Sequence, residues 1–424
     1  MSQGYTQSYQ RTLFLFQNEK ELNAVFWDFL QHCINSEYAN AAGLIVIDDK
    51  TYKSSFYQDL NRFQSSLSNV KIITFDETFL ILGQTLDFLL IDLRENFTPN
   101  KINVLLETVR GGGVIFILGL PRSEWVYLVN QERVFLEEMP SRKIKSTKSI
   151  LLGWFLENIS INPQCRTQGL SSSEVISKFN PMPYQINLTT HIKDILVTPE
   201  QKTVIENIVD TFLDSKNPNS CSILLANRGR GKSASTGLSI SQVLSMRSKH
   251  SYKVIISSPH LANVQTLFNF LSRGLTSENI KYQEKRQECW ISGIQTSSGA
   301  KIIYLWPSEI NKNLRTDLFV VDEAAAIPVE ILKEILKIKA KKIFVSTIHG
   351  YEGAGRGFQY KFLRYLREQK EIQYSELSLH QPIRYPQGDF IERLLNNTFL
   401  LDVELDPVKI DHKTLDRESI GLQI

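Results

Sequence analysis

Short apolar segments alternate with helix-like segments along the first third of the chain. Five of them are rich in Ile, Leu, Val and Phe and are predicted strands, at residues 12–16, 43–48, 70–75, 87–92 and 113–119. Between the first two, apolar residues recur at helical spacing, at Leu22, Val25, Phe26, Phe29, Leu30 and Cys33. Strands separated by helices predict a parallel sheet that is covered on both faces. The Arg-Gly-Gly-Gly run at residues 110–113 predicts a tight turn, and residues 1–160 show no catalytic set.

The same alternation resumes near Thr198. Strands are predicted at residues 222–226, 253–258, 301–305, 318–322 and 342–347. Between the two series, prolines and a Ser-Ser-Ser run interrupt the periodicity, which predicts a linker with little regular structure over residues 161–195. The predicted fold class is α/β throughout. An N-terminal parallel-sheet domain at 1–160 is followed by the linker, a RecA-like P-loop ATPase domain at 196–405 and a tail at 406–424.

The composition is that of an ordinary globular protein and excludes few functions. Of 424 residues, 42% are hydrophobic and 22% are charged, and the sequence has no run of 18 apolar residues. The first residues lack the basic and apolar regions of a signal peptide. The four cysteines form no Cys-x-x-Cys pair, so a cytoplasmic location without a zinc site or disulfide framework is expected. Because the net charge is only +3, any binding of nucleic acid would depend on local patches of basic residues.

The most informative stretch is Ala-Asn-Arg-Gly-Arg-Gly-Lys-Ser at residues 226–233. It matches the phosphate-binding loop of nucleotide hydrolases, with alanine in place of the first glycine. Gly229 and Gly231 allow the backbone to curl around phosphates, and the following helix directs its positive end at them. Lys232 is placed to neutralise the β- and γ-phosphates, and Ser233 to bind Mg²⁺. A preceding apolar strand and a following helix disfavour the alternative of a Gly/Arg-rich surface loop.

Two adjacent carboxylates, Asp322 and Glu323, directly follow a predicted buried strand. Asp322 is expected to hold Mg²⁺ through water, and Glu323 to orient or deprotonate the attacking water. The alternative, a solvated turn, is disfavoured by their position about 90 residues after the phosphate loop. The next strand ends in Ser346-Thr347. In motor ATPases such a pair lies beside the acidic strand and senses the γ-phosphate, although β-favouring polar residues explain it equally well.

Two further residues are candidates for contact with a nucleotide. Gln201 begins a helical segment after Thr198 and Pro199, and its amide can pair with the edge of an adenine base. Thr198 as the cap and Pro199 at the first helical position explain the same segment as a helix start, and both interpretations are compatible. Arg384, in Gln-Pro-Ile-Arg at residues 381–384, is either a second cation for the phosphates or a surface arginine.

Three segments are candidates for contact with RNA. The glycine-rich run at residues 349–357 contains His349 and Arg356, and its spacing does not fit a dinucleotide-binding loop. Arg356 is a candidate phosphate or RNA ligand, whereas His349 is better explained as a hydrogen-bonded loop residue. Basic clusters at residues 142–148 and 337–342 suit RNA phosphates, with a solvated surface as the alternative for each.

Four of these segments together resemble the tRNA(Met) cytidine acetyltransferases. They lie at residues 228–233, 321–328, 349–358 and 381–384, and the resemblance is strong from Thr198 to about Asp402. It implies ATP contacts at Gln201, Arg228, Gly229, Arg230, Gly231, Lys232, Ser233, Ala234 and Arg384. With the assignments above, Lys232, Asp322 and Glu323 are the expected catalytic residues, and Ser233 and Asp322 the expected Mg²⁺ ligands.

Members of this family use ATP and acetyl-CoA to form N4-acetylcytidine at the wobble position of elongator tRNA(Met). The resemblance therefore implies ATP and Mg²⁺ as cofactors and tRNA as a partner. In the family an acetyltransferase domain follows the helicase-like module, and residues 403–424 are too few to form one. We therefore predict that this chain is the ATP-hydrolysing, tRNA-binding portion of such an enzyme. Acetyl-CoA would be used only if a transferase domain is supplied elsewhere, for example on a separate polypeptide. A stand-alone RNA helicase-like ATPase and a non-catalytic RNA-binding scaffold are the alternatives.

Overall fold

The computed structural model describes residues 9–47, 69–124 and 147–399, except for residues 82, 95, 168, 183–187, 248–250, 312 and 348–357. Two large sheets lie within these residues, each flanked by helices. This arrangement confirms the predicted α/β fold class. Within the same residues, every helix is too short or too polar to cross a lipid bilayer.

The first sheet has six parallel strands in the order β3-β2-β4-β5-β1-β6. Its strands are β1 (Thr12–Phe16), β2 (Gly43–Ile47), β3 (Val70–Thr74), β4 (Leu86–Asp92), β5 (Val109–Leu118) and β6 (Cys165–Arg166). The helices in this part of the chain are α1 (Glu19–Ile34), α2 (Pro99–Thr108), α3 (Thr147–Ile161) and α4 (Ser172–Lys178). Strands β1, β2 and β4 are buried along their whole length, because helices cover both faces of the sheet.

The second sheet has eight strands in the order β11-β12-β13-β10-β14-β15-β9-β16. Its strands are β9 (Cys221–Ala226), β10 (Lys253–Ser257), β11 (Tyr282–Gln287), β12 (Trp290–Thr296), β13 (Lys301–Tyr304), β14 (Leu318–Val321), β15 (Lys341–Thr347) and β16 (Tyr374–Leu379). Strand β12 runs opposite to the other seven, so its pairings with β11 and β13 are antiparallel, and every other neighbouring pair in this sheet is parallel. The helices here are α5 (Pro199–Leu213), α6 (Lys232–Met246), α7 (Gln265–Ser277), α8 (Val329–Lys337), α9 (Arg364–Glu368) and α10 (Phe390–Phe399).

Two local predictions were wrong. Residues 161–195 were predicted to be a linker with little regular structure, but they contain β6, which pairs with β1, the helix α4, and β7 (Thr190–Ile192), which forms a hairpin with β8 (Ile195–Val197). The run at residues 110–113 is not a turn, since β5 passes through it with a register shift opposite β4. A Cβ on Gly112 would lie 1.8 Å from the carbonyl oxygen of Asn180, so this run allows a close approach of two backbones.

Helix α10, which follows the second sheet in the chain, packs against the first sheet. Its apolar residues lie in one core with those of α2 and α3. Just before α10, Asp389 forms an ion pair with Arg11 at 2.5 Å, and neither side chain is exposed. Arg11 also donates to the carbonyl of Leu106 at 2.6 Å and lies over the ring of Tyr385, 4.0 Å from its centroid. These contacts fix the end of the described chain to the N-terminal sheet.

Breaking the Arg11–Asp389 pair should destabilise the protein strongly. Asp389→Asn leaves a buried guanidinium without its counter-charge, which costs about 3–5 kcal/mol of unfolding free energy. Urea unfolding of the purified variant measures this loss. Glu368→Gln is the control, because it breaks the exposed Arg364–Glu368 pair and should cost less than about 1 kcal/mol. Equal losses in the two variants would contradict a structural role for the buried pair.

Candidate nucleotide-binding site

The loop between β9 and α6 has the geometry of a phosphate-binding loop. Helix α6 begins at Lys232, so its N-terminal N–H groups face the loop. Gly229 and Gly231 have left-handed φ angles of 70° and 82°. A Cβ on Gly231 would also lie 2.1 Å from the side-chain nitrogen of Gln201, so this position requires glycine. Ala226 replaces the first glycine without strain, because it is the last residue of β9.

The side chain of Lys232 is buried and folds back onto the loop. Its Nζ donates to the carbonyls of Ala226 and Asn227, at 3.1 Å each. Burial lowers the pKa of this lysine, and the nearby charges of Glu323 and Asp322 offset part of that effect. A phosphate is a stronger partner for a buried ammonium than a carbonyl is. The lysine is therefore held where an anion in the loop would capture it.

Asp322 and Glu323 lie at the same edge of the sheet as the phosphate loop. A single strand, β15, separates β14 from β9, so the carboxyl ends of all three strands open together. Asp322 is fully buried, and its Oδ1 accepts the N–H of Glu323 at 3.0 Å. Glu323 adopts a left-handed backbone conformation with φ of 52°. Such a conformation costs a non-glycine residue about 1–3 kcal/mol, and residues strained in this way occur mostly at functional sites.

The end of β15 lies beside the acidic strand β14, with which it pairs. The hydroxyl of Thr347 donates to the Glu323 carboxylate at 3.4 Å. Ser346 precedes it and is fully buried. Thr347 thus helps to orient Glu323, while the sensing of a γ-phosphate by this pair stays a prediction.

Ser233 and Asp322 fit a Mg²⁺ site. The Oδ2 atom of Asp322 is buried without a hydrogen-bond partner among the described residues, and the Ser233 hydroxyl approaches the same carboxylate. An unpartnered buried carboxylate oxygen is costly, and a bound cation would remove that cost. Mg²⁺ usually takes only one or two protein oxygens and completes its octahedron with water and substrate phosphates. A carboxylate oxygen of Asp322, after β14, and the hydroxyl oxygen of Ser233, at the start of α6, would therefore be enough protein ligands for Mg²⁺.

Nucleotide binding should depend on pH through Asp322. Burial, together with the adjacent charge of Glu323, raises the pKa of Asp322 to about 7. The carboxylate binds metal only when ionised, so Mg²⁺-dependent ATP affinity should fall roughly tenfold between pH 8 and pH 6. Equilibrium titrations with Mg·ATP across this range measure the fall. Asp322→Asn should bind more weakly and lack this step, whereas an identical pH profile would contradict the assignment.

The phosphate loop opens into a cavity of about 580 Å³ between the two sheets. The second sheet contributes the loop residues, Glu323 and Thr347. The opposite wall comes from α2 and from the segment between β3 and β4, chiefly from Thr78, Gly83, Asn100, Lys101, Val104, Glu107 and Thr108. No sequence pattern indicated this wall, since its residues form no motif and only the tertiary fold brings them to the loop.

Arg384 lies in the cavity because the segment after β16 is bonded to the phosphate loop. The N–H of Ile383 donates to the carbonyl of Gly229 at 3.1 Å. One guanidinium nitrogen of Arg384 donates to the main-chain carbonyl of Glu107 at 3.3 Å. Arg228 lines the same cavity. Two of the three arginines implied for ATP contact therefore line the cavity into which the phosphate loop opens, and their contact with ATP stays a prediction.

The third arginine, Arg230, is turned away from the cavity. Its guanidinium donates to the carbonyl of His380 at 2.9 Å, to the hydroxyl of Tyr385 at 3.2 Å and to Glu392. The guanidinium is therefore held away from the cavity, while the predicted contact of Arg230 with ATP through the main chain of the loop stays a prediction. Arg230 fastens the phosphate loop to the segment that leads into α10, and only its main chain lies along the loop.

Gln201 lies behind the phosphate loop. The predicted helix start is confirmed, since the Thr198 hydroxyl accepts the N–H of Gln201 at 3.1 Å and the Gln201 side-chain oxygen accepts the N–H of Thr198 at 2.9 Å. The side-chain nitrogen of Gln201 donates to the carbonyl of Arg230 at 3.4 Å. With Ala234 and Ile383, Gln201 lines a smaller cavity of about 120 Å³. Nucleotide contacts of Gln201 and Ala234 stay predictions.

The structure tests the RNA candidates only in part. Residues 142–146 and 349–357, with His349 and Arg356, lie outside the described residues. In the cluster at 337–342, Lys341 and Lys342 are buried. Lys341 donates to the carbonyl of Thr211 at 2.5 Å, and Lys342 to that of Ala340 at 2.7 Å. These two lysines stabilise the fold and do not form part of an exposed basic patch.

Comparison with known proteins identifies relatives of both sheets. The profile of the RNA cytidine acetyltransferase NAT10/TcmA helicase domain matches residues 223–402, and that of the tRNA(Met) cytidine acetyltransferase TmcA N-terminal region matches residues 2–164. The tRNA(Met) cytidine acetyltransferase TmcA of Pyrococcus abyssi is 32% identical over 400 residues, which cover 89% of this chain and 47% of that protein. The corresponding protein of Vibrio cholerae is 31% identical, over 82% of this chain and 42% of its own length.

Similarity to solved structures is low. The large terminase of a thermophilic bacteriophage aligns with a TM-score of 0.32 and 12% identity, over 41% of this chain and 44% of that chain. The SWI2/SNF2 ATPase core of Sulfolobus solfataricus aligns over 85% of this chain and 88% of that chain, with a TM-score of 0.23 and 10% identity. Scores of this size carry no argument about the site.

The two matched profiles fall on the two sheets, and the chain spans less than half the length of the two relatives described above. The N-terminal profile covers β1 to β5, and the helicase profile covers the phosphate loop, the acidic pair and Arg384. The chain belongs to the tRNA(Met) cytidine acetyltransferase family, whose N-terminal and helicase domains it carries.

Proposed function

We propose that this chain binds and hydrolyses ATP and forms the ATP-driven, tRNA-binding part of a tRNA(Met) cytidine acetyltransferase. One observation supports the proposal most strongly. Lys232 and Ser233 lie at the start of α6, and Asp322 and Glu323 directly follow β14. Lys232, Ser233 and Glu323 line one cavity, and the buried carboxylate of Asp322 lies close to Lys232 and Ser233. A buried ammonium, a hydroxyl and two carboxylates in this arrangement are the groups that phosphoryl transfer to water requires.

Each of these residues has a distinct role in the proposed reaction. The N–H groups at the start of α6 bind phosphate oxygens. The Lys232 ammonium donates to phosphate oxygens in place of the carbonyls of Ala226 and Asn227. Ser233 and Asp322 would hold Mg²⁺, which supplies positive charge to the phosphate oxygens. Glu323, oriented by Thr347, positions the attacking water and accepts its proton. Arg228 and Arg384 add positive charge for the phosphates.

The proposed RNA partner follows from the family. The relatives are named for cytidine acetylation of tRNA(Met), and we extend that substrate to the protein in which this chain acts. Acetyl-CoA would then be bound by a transferase domain, on this polypeptide or on a separate one. A cytoplasmic location is proposed on the same basis. Gln201 and the small cavity beside it are proposed to receive the adenine base.

Stimulation of ATP turnover by tRNA tests this function. Phosphate release from Mg·ATP should rise when elongator tRNA(Met) is added, and rise less with an unrelated tRNA. ATP turnover that does not respond to tRNA would support the proposed ATPase activity and contradict the proposed role of tRNA. Strand separation on a short RNA duplex would then favour a helicase. Tight tRNA binding with no ATP hydrolysis would favour a non-catalytic scaffold.

A further inference from the structure

Three successive main-chain carbonyls of the phosphate loop accept hydrogen bonds from other protein groups. That of Arg228 accepts from the Arg230 guanidinium at 2.9 Å, that of Gly229 from the N–H of Ile383 at 3.1 Å, and that of Arg230 from the side chain of Gln201 at 3.4 Å. In a trans peptide unit the C=O and N–H bonds point in opposite directions, so each bonded carbonyl directs the next N–H away from its partner. N–H groups directed to one side form an anion-binding nest. The donors to these carbonyls therefore set the shape of the loop.

The Arg230 guanidinium, one of these donors, is held by groups from the part of the chain that follows β16. It donates to the carbonyl of His380, to the hydroxyl of Tyr385 and to the carboxylate of Glu392. Only 6% of the Arg230 side chain and 14% of that of Glu392 are exposed. Of the three partners, Glu392 alone supplies a full negative charge, which a buried guanidinium requires. The ion pair with Glu392 therefore fixes the donor that holds the Arg228 carbonyl.

Glu392 is in turn fixed by helix α10, which packs in a different hydrophobic core from the elements that flank the loop. It lies in the first turn of α10, where the Asp389 carboxylate accepts the N–H groups of Ile391 at 2.9 Å and of Glu392 at 3.2 Å. The apolar residues of α10 pack with those of α2 and α3, whereas β9 and α6 contribute to a core of the second sheet. The position of the Glu392 carboxylate is therefore set by the N-terminal part of the fold and not by the loop itself.

We infer that Glu392 is a positioning residue of the nucleotide site, which holds the phosphate loop through Arg230 in the shape that binds nucleotide phosphates. The inference rests on the proposed function. Glu392 lies outside the described lining of the cavity, so it acts without touching the nucleotide. When its charge is lost, the guanidinium is no longer fixed and the loop is free to adopt other shapes. Restoring the binding shape then costs part of the free energy of binding.

Glu392→Gln should weaken the binding of nucleotide without slowing its hydrolysis at saturation. Glutamine keeps the size of the side chain but not its charge, so the affinities for Mg·ATP and Mg·ADP should each fall about tenfold. The loop contacts phosphates before and during the reaction, so KM should rise and kcat should stay close to the wild-type value. Equilibrium titration and steady-state turnover of the full chain measure these quantities. Glu376→Gln, which breaks the exposed Arg367–Glu376 pair, is the matched control and should leave them unchanged.

A double variant separates positioning from stability. Glu392→Gln alone leaves the Arg230 guanidinium buried without a counter-charge, which destabilises the fold. Arg230→Met combined with Glu392→Gln replaces the ion pair by two neutral groups, so the double variant should regain resistance to urea. It still lacks the donor to the Arg228 carbonyl, so its affinity for Mg·ATP should stay about tenfold below the wild-type value.

Several results would overturn the inference. Wild-type affinity in a folded Glu392→Gln variant would do so, as would recovery of affinity together with stability in the double variant. A fall in kcat with an unchanged KM would also contradict it, because a smaller folded fraction alone explains that result. In all three cases the wild-type chain binds nucleotide, so the proposed function survives. Absence of nucleotide binding by the wild-type chain would instead overturn the proposed function, and this inference with it.

Discussion

Lys232→Ala should abolish ATP hydrolysis by this chain. The buried ammonium is the one described lysine within the phosphate loop, and its loss removes the charge that would stabilise the transferred phosphoryl group. Loss of such preorganised stabilisation lowers turnover by about a thousandfold. The variant should fold normally, because alanine removes a desolvated charge and leaves only two loop carbonyls without this donor. Phosphate release from Mg·ATP measures the effect.

The matched control for this prediction is Lys202→Ala. Lys202 lies on the surface of α5, where its ammonium is 3.9 Å from Glu206 and half exposed, and the same substitution should leave turnover unchanged. Near wild-type turnover in Lys232→Ala would refute the assignment of residues 226–233 as the catalytic phosphate loop. A comparable loss in Lys202→Ala would show that the assay responds to general damage.

Glu323→Gln should separate hydrolysis from binding. The side chain keeps its size but no longer accepts a proton from water, so turnover should fall by about 10²–10⁴-fold. ATP affinity should change little, since the predicted ligands Lys232, Ser233 and Asp322 are intact. Single-turnover hydrolysis and equilibrium binding measured on one preparation test both statements.

Glu330→Gln is the control for that experiment. Glu330 is exposed in the first turn of α8, a few residues along the chain from Glu323. Its replacement should affect neither binding nor turnover. If Glu323→Gln loses affinity in proportion to turnover, Glu323 acts in holding the nucleotide or its metal, and the role in orienting water is wrong.

The buried strands and the phosphate loop were predictable because their signals are local. Strands β1, β2 and β14 are continuous apolar runs, and each lies where the sequence places it. The loop and the acidic pair are short motifs whose chemistry depends on neighbouring residues. Their mutual approach was also predictable, because parallel strands of one sheet open their carboxyl ends at the same edge.

Three of the four edge strands of the two large sheets, β6, β11 and β16, were not predictable in this way. Strand β11 reads Tyr-Gln-Glu-Lys-Arg-Gln and is largely exposed, and β16 has only its last residue buried. Such segments become strands because a neighbour offers hydrogen bonds, and their own apolar pattern is weak. Strand β6 has two residues and depends entirely on β1. The glycine run in β5 was also not predictable as part of a strand, because its close packing against Asn180 depends on the tertiary fold.

The positions of Arg230 and Glu107 show that the sequence also predicts the site only in part. The motif places Arg230 in the phosphate loop, but the partners of its side chain, His380, Tyr385 and Glu392, come from a distant part of the chain that follows β16. Glu107 has no motif at all and reaches the cavity because α2 packs beside the loop. A sequence pattern identifies which residues lie in a loop. Which way each side chain turns depends on packing between the two sheets.

The most direct test of the proposed site is a crystal structure of Glu323→Gln with Mg·ATP. We predict phosphates in the loop at residues 226–233, with the Lys232 ammonium on phosphate oxygens in place of the Ala226 and Asn227 carbonyls. Mg²⁺ should lie between Ser233 and Asp322, with Arg384 facing the phosphates. A nucleotide bound elsewhere, or a loop that stays empty at saturating Mg·ATP, would contradict the central claim.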